Sequence, residues 1–576
     1  MRRFLSMVLF GLWWTFACAG IATAAGGTDD EVIFRAMTDE LHRNMDSLVM
    51  ENLERPYFLS YTIDDAQDLT VRGVLGALVQ SKLERSRFVT VELRVGNDTL
   101  DNSNFVGGFD RRGPGYAPIT IENDYDALRN RMYLVTDDVY KDALRLLSKK
   151  RAYLQTTTVK DRPKDFLSQP ASTFIGRAEP FDLNEPSFDS LVQAASAVFR
   201  DFPQILSSEV ELTAGVVNQY MVGSTGTKAR RGDRTYVLRV MMSGKSDGGE
   251  AVVDGDRFIV RSRDDFPGRE EIAQWARGNA ERIVKLLSAE TVEEYAGPVI
   301  LSGAAAGEFF RQLFLRSISG APAPLSDNEQ MAAMFTEPEL ANKVWRRVLP
   351  QFFDVYDDPT IDRVGGLKLV GGFAVDDAGG VPKKIELVQQ GRLVNLPIGV
   401  APTRKVSEPN GHARGAVSKE VLARPGNVIF ESRDNVPETQ LRQTMLKLCR
   451  DFDLEYGLVV RQLEDPDAAR GGSVFRGRPR GRDEGLSVPL EVYKVYPDGR
   501  EEPLRNLEFS NVTVRTLRDI VQTGRQQYVY NYLIANDYEM PVSIVCPSVL
   551  IEEMELKKSE EKIKRPPLLP SPLARK

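Results

Sequence analysis

Side chains suited to metal or acid–base chemistry are scarce in this 576-residue chain: His42 and His412 are its only histidines, and Cys18, Cys449 and Cys546 its only cysteines. A zinc hydrolase needs about three protein donors from His, Glu, Asp or Cys, plus an open position for water. Two histidines so far apart form no H-x-x-x-H pair. His42 falls on the polar side of a helical pattern and reads as a solvated surface residue. His412 lies in E-P-N-G-H-A-R-G, a glycine-punctuated loop. Asn410, Gly411 and His412 are therefore a candidate cleft loop, since sites concentrate on loops, while a structural or solvated histidine is the plainer reading. Cys449 shares a helical face with Leu441, Met445, Leu448 and Phe452 and reads as a buried thiol.

Carboxylates abound, and D-V-Y-D-D-P-T-I-D-R, from Asp354 to Arg363, is the densest acidic loop. It has neither the spacing nor the glycine of an EF-hand, so a solvated turn is expected rather than a calcium site. No Walker loop, dinucleotide-binding glycine pattern or nucleophile elbow occurs. G-S-T-G-T from Gly223 reads as a turn between strands. R-G-G-S-V-F-R-G-R-P-R-G-R, from Arg470, has the composition of a nucleic-acid-binding segment, but reads as a solvated loop in an acidic protein. No metal and no cofactor are expected.

One further stretch bears on catalysis. F-F-R-Q-L-F-L-R-S-I-S-G, Phe309 to Gly320, follows the strand-like run G-P-V-I-L-S-G and has helical periodicity. As a plain amphipathic helix it would turn Phe310, Leu313, Phe314 and Ser317 inward, and Glu308, Arg311, Gln312 and Arg316 outward to water.

The elements that must position these residues are numerous. A composition of 42% hydrophobic and 27% charged residues supports large cores, and the net charge of −7 gives no reason to expect nucleic acid as a partner. Residues 1–24 read as a signal peptide: Arg2 and Arg3, an apolar stretch from Phe4, then A-T-A at Ala22 to Ala24. Export to a periplasmic or extracellular location is expected, with no membrane-spanning segment after cleavage. Helical spacing is expected from Thr28 to Leu48, from about Asp124 to Gln155, from Phe188 to Phe199 and from about Glu270 to Leu287. Strands are expected at Y-F-L-S-Y-T-I-D from Tyr57, L-T-V-R-G-V-L-G-A-L-V from Leu69, F-V-T-V-E-L-R-V from Phe88 and T-Y-V-L-R-V-M-M from Thr235. From Tyr295 the texture changes to short strands, with hairpin apices at Gln390-Gly391 and Asp498-Gly499. The fold class is α+β: an N-terminal mixed α/β layer domain over 28–292, a β-rich C-terminal domain over 293–556, and a charged, proline-rich, disordered tail over 557–576.

Several blocks of the C-terminal half resemble, in order, the C-terminal domain of the TldD/PmbA family, described as metallopeptidases and modulators of DNA gyrase. They are Y-A-G-P-V-I-L-S-G, the D-P-T turn at Asp358 to Thr360, F-A-V-D-D-A-G-G-V-P-K-K-I-E-L-V-Q-Q-G-R-L from Phe373, and D-G-R-E-E-P-L-R-N-L-E-F-S-N-V-T-V-R-T-L-R-D-I from Asp498. The resemblance implies a metallopeptidase helix bearing H-E-x-x-x-H after the first strand, and a cysteine ligand near the C-terminus. Laid on this chain, the two histidines fall on Arg311 and Arg316 and the glutamate on Gln312, and the stretch Y-L-I-A-N-D-Y-E-M from Tyr532 has no cysteine. Arg311, Gln312 and Arg316 are thus degenerate metal-site positions. Together with the signal peptide, the resemblance implies an exported pseudoenzyme acting as a peptide-binding protein, and by itself it implies one subunit of a homo- or hetero-oligomer. The alternatives are a hydrolase with atypical ligands, a serine-type version using His412 among them, and an envelope scaffold.

Overall fold

A computed structural model describes residues 29–107, 113–246, 248–335, 337–415, 421–464, 485–534, 540–559, 569 and 571–573. The expected signal peptide, the arginine-rich segment from Arg470 and most of the expected C-terminal tail lie outside the described residues. The architecture is α+β, built on two large sheets.

The first sheet has seven strands among the described residues. Its centre is β1 (Pro56–Val74), β2 (Ala77–Val95) and the long strands Ile205–Gly223 and Lys228–Lys245, all antiparallel. The runs from Tyr57 and Leu69 are one continuous strand, and the second run ends earlier than its composition suggests. Leu75 and Gly76 both take positive φ, 49° and 77°, which closes a tight hairpin and returns the chain as β2. G-S-T-G-T is the matching turn between the two later strands, with the Gly223 N–H donating to Thr227 O at 2.9 Å.

Four helices cover one face of this sheet, because alternate strand residues point to it. Helices α1 (Asp29–Ser47) and α2 (Tyr125–Thr156) pack on Tyr61, Ile63, Val89 and Val91. The side chain of Asp124 caps α2 through Ala127 N at 2.7 Å. Helices α3 (Pro186–Ala197) and α4 (Arg269–Leu287) pack on Val71, Leu212, Leu238 and Val240.

The chain passes to the second sheet, of twelve strands among the described residues, at Glu294–Leu301. At its middle is Met540–Lys558, which pairs parallel with Asn427–Ser432 and antiparallel with Glu294–Leu301 and Ile520–Ile534. This closing strand runs to Lys558, beyond residue 556 where the tail was expected, because Leu507 to Ser510 pairs along its end. Both faces are buried. Val299 and Leu301 face a core with α5 (Ala304–Leu313), while Ile300 faces the helix Glu438–Asp451 on the other side. A strand covered on both faces is apolar throughout, as G-P-V-I-L is. Gln390 and Gly391 form the expected hairpin, both at positive φ.

The uncovered face of the first sheet docks on the second half of the chain through charge. Arg231 pairs with Asp377 across this boundary and donates to Val375 O at 2.8 Å. Arg261 pairs with Asp233 and donates to Val370 O and Gly372 O. Asp64 is sealed beneath this cluster, and burial pushes its carboxyl up to about 6 against the helping hydrogen bond from Gln219. The raised value means that the folded protein holds this proton more tightly than the unfolded chain, whose aspartate titrates near pH ~4. The resulting stabilisation is complete below pH ~4 and is lost as pH rises through about 6. Chemical denaturation of the protein and of Asp64→Asn at stepped pH is expected to show the native protein losing stability relative to the variant as pH rises from ~4 through about 6, because the amide cannot titrate; a pH-independent difference would contradict it.

Candidate functional site

Helix α5 begins at a sharp turn, with Gly303 at φ 56°, and runs through three alanines and Gly307 before its large residues. Gly307 lets the helix lie against Tyr530, since a Cβ there would stand 2.3 Å from the Tyr530 Cβ. Phe309, Phe310 and Leu313 enter the core, and Phe310 stacks on Phe430 with ring centroids 4.0 Å apart. The pattern is amphipathic, but its polar stripe does not face water. Glu308, Arg311 and Gln312 are 1%, 2% and 7% exposed, where the sequence placed them outward. Arg316, in the single turn Leu315–Ser317, is exposed as expected.

The polar stripe is buried because the surrounding elements supply partners. Glu308 accepts from Arg311 Nη1 at 2.5 Å and from Gln312 Nε2 at 2.7 Å, and it bonds the Tyr530 hydroxyl. Gln312 also donates to Ser487 Oγ at 2.8 Å and accepts from Ser487 N at 2.9 Å. The Arg311 guanidinium lies 4.6 Å from the Tyr532 ring centroid, and Tyr532 stacks with Tyr530. Burial pushes the Tyr532 phenol well above its ordinary range, opposed by the field of Arg311. The arrangement is a closed polar network around an ion pair, with a cation and an amide at the helix positions where metal donors would have to stand. Guanidinium has five donors, no acceptor and a pKa above ~12, so it cannot ligate a cation. The residues present do not fit a zinc ion.

The sequence reading missed Ser487, Tyr530 and Tyr532 as parts of this site. Tyr530 and Tyr532 stand two apart on one strand and so share a face. That face becomes meaningful only once Ile520–Ile534 is seen to pack beside α5.

Asn410, Gly411 and His412 do not line an open cleft. All three are buried, and His412 has no exposed surface. Its Nδ1 is 3.0 Å from Asn410 O and its Nε2 is 3.2 Å from Asp357 Oδ2. Asn410 is engaged by Ile398 N and Leu396 O. The acidic loop is also not a solvated turn throughout. Asp357 is buried and accepts from Gly426 N, while Asp358 accepts from the backbone and hydroxyl of Thr360. Cys449 and Cys546 are separate buried thiols, each pushed up by burial, Cys449 to about 11. Leu441 and Met445 are buried beside Cys449, whereas Phe452 is 40% exposed beyond the helix end. His42 is exposed on α1. No group of three or more His, Cys, Asp or Glu side chains is placed to hold a metal among the described residues.

A cavity of about 410 Å³ opens between the two halves of the chain. Its walls include Leu93, Phe105 and Leu146 from the first half and Pro322, Val400 and Leu422 from the second.

Residues 294–558 match the PmbA/TldA metallopeptidase C-terminal domain. No protein of curated function matches the chain. Among solved structures, a Thermotoga maritima protein described as a candidate modulator of a DNA gyrase is similar at TM-score 0.57 and 16% identity, over 92% of this chain and 100% of that one. TldE from Thermococcus kodakarensis is similar at TM-score 0.56 and 12% identity, over 90% and 99%. A Bacteroides thetaiotaomicron protein, described like the first, is similar at TM-score 0.54 and 13% identity, over 92% and 98%. At these identities the likeness is one of fold.

The network makes a stability prediction. Glu308→Leu removes the α5 carboxylate that pairs with the buried Arg311 and is expected to cost about 3–5 kcal/mol in denaturant unfolding, while adding Arg311→Met recovers most of that loss. A double variant no more stable than the single one would show that the pair is not the coupled unit.

Proposed function

Residues 294–558 place this chain in the TldD/PmbA family, and from that membership we propose that it is a non-catalytic, exported member, one that binds peptides or serves as the partner subunit of a related chain. The observation that carries the reading is the Arg311–Glu308 ion pair, buried in α5 at the place where the family resemblance puts the first metal ligand. One arginine at 4 Å from a zinc ion would cost about 8 kcal/mol at an effective dielectric of ~20. Gln312, an amide, cannot take a proton from water as a general base does. The other candidate donors offer no replacement. Cys546 is wholly buried in the closing strand, and His412 is enclosed by Asn410 and Asp357.

A protein that has lost its metal can keep its binding surface. The cavity between the two halves supports this part of the proposal, since apolar walls with a few polar groups are what a peptide side chain requires. Export rests on the leader composition of residues 1–24. The partner-subunit role rests on the family membership, and a scaffold role would leave the cavity without a ligand.

Zinc analysis of the purified mature protein, with peptidase assays before and after added zinc, tests the proposal. No tightly held zinc and no turnover are expected. A tight equivalent whose removal by chelator abolishes peptide cleavage would overturn it.

A further inference from the structure

We infer that the cavity between the two halves is one section of a longer cleft, which binds a peptide carrying an apolar side chain and, close to it, an acidic group that Arg404 and Lys405 meet. The inference deepens the peptide-binding reading and rests on it, because it names the class of peptide.

The cavity of about 410 Å³ continues into a smaller hollow of about 70 Å³, and Asn104, Pro338 and the segment Ala321 to Ala323 line both. The hollow has room for a few waters or one carboxylate. The shared floor is the stretch G-A-P-A-P-L from Gly320, where prolines at 322 and 324 fix φ and hold the preceding residues extended. Each end is tied down. Gly320 N donates to Pro397 O at 3.0 Å in the second half, and Leu325 N donates to Asn104 O at 2.9 Å in the first. Leu325 and Ser326 then pair in parallel with Phe105 and Val106, so both halves of the chain build this floor.

The two sections differ in charge. On the cavity's first-half wall Glu92 and Arg94 neutralise each other at 2.6 Å. The hollow is lined by four cations, Arg162, Lys164, Arg404 and Lys405, against two carboxylates, Asp165 and Glu337, in a chain whose net charge is −7. Two of the cations are committed. Arg162 pairs at 3.0 Å with Asp165, which also holds the buried Lys150, and Lys164 pairs with Asp98 at 2.7 Å. Glu337 accepts from the side chain of Asn342. Arg404 and Lys405 have no carboxylate partner among the described residues.

Arg404 and Lys405 are the central residues of a tight bend that is itself fixed. Thr403 N donates to Val406 O at 2.9 Å, and the Thr403 hydroxyl accepts from the N–H groups of Lys405 and Val406 at 3.3 and 2.9 Å. Both cations are exposed, so an acid reaches them from solvent without displacing a resident carboxylate. A free anion gains little from such solvent-screened charges. A peptide whose apolar side chain occupies the cavity instead brings its acid to them at high effective concentration, so the cleft selects ligands that join the two properties. The acid can come from an Asp or Glu side chain or from a peptide C-terminus.

The test uses the full mature protein and four acetylated, randomised hexapeptide pools, with binding read by equilibrium dialysis and mass spectrometry. Three pools contain large apolar residues: one amidated with Asp and Glu, one amidated with Asn and Gln in their place, and one with Asn and Gln but free C-termini. The fourth is amidated and has Asp and Glu but no large apolar residue. At ~50 mM salt the acidic apolar pool or the free-terminus pool should bind about 3- to 10-fold above the amide pool, as two exposed ion pairs allow, and the excess should shrink at ~500 mM. Which of the two binds identifies the source of the acid. Arg404→Glu combined with Lys405→Glu should remove the excess; both positions are exposed, and melting checks that the fold is kept. Equal binding of the three apolar pools, an excess unmoved by salt and by the double variant, or equally strong binding of the fourth pool would overturn the two-part cleft and leave peptide binding standing. Binding of no pool would overturn both.

Discussion

Arg311 carries a permanent positive charge into a helix whose every side is enclosed, and that single fact constrains what surrounds it. A cation in such a place requires a carboxylate within hydrogen-bonding distance, and Glu308, one turn earlier, is the one that α5 itself provides. Glu308 in turn has oxygens to satisfy beyond those Arg311 takes, which Gln312 and Tyr530 supply. Gln312 then needs Ser487. The network spreads from one charge to three elements: the helix, the strand Ile520–Ile534, and the segment beginning at Gly485.

The same principle operates at the boundary between the two halves of the chain. Helices cover one face of the first sheet, and its other face meets the second half through Arg231, Asp233, Arg261 and Asp377. Charge at an interface gives register and orientation more than raw affinity. It holds the walls of the interdomain cavity in a defined relation, with small apolar contacts such as Val237 and Ile259 against Val370 and Leu533 beside it. The cavity is therefore a product of this docking arrangement.

Much of the architecture was legible along the chain. The long helix after Asp124 carries its own cap, the Gln390-Gly391 apex carries its own turn chemistry, and the apolar run before α5 is a strand buried on both faces. The β1–β2 turn was misplaced because Leu75 is not a residue that advertises a positive φ. The polar stripe of α5 was misread for a deeper reason. Periodicity tells which residues share a face, but a face of Glu, Arg and Gln is equally compatible with water and with a buried network. His412 and Asp357 were hidden in the same way: their partners are Asn410 O and Gly426 N–H, backbone groups whose approach depends on how distant loops fold back.

By itself, the sequence determined which side chains stand on the helix: arginines at residues 311 and 316, glutamine at 312, and two histidines too far apart to form an H-x-x-x-H pair. It also determined the α+β texture, since strand alternation and helical spacing are local properties. Only the tertiary structure decided that Glu308, Arg311 and Gln312 turn inward and that Tyr530 and Tyr532 meet them. Those outcomes depend on desolvation and on partners brought from far along the chain, and neither is written in the spacing of neighbouring residues.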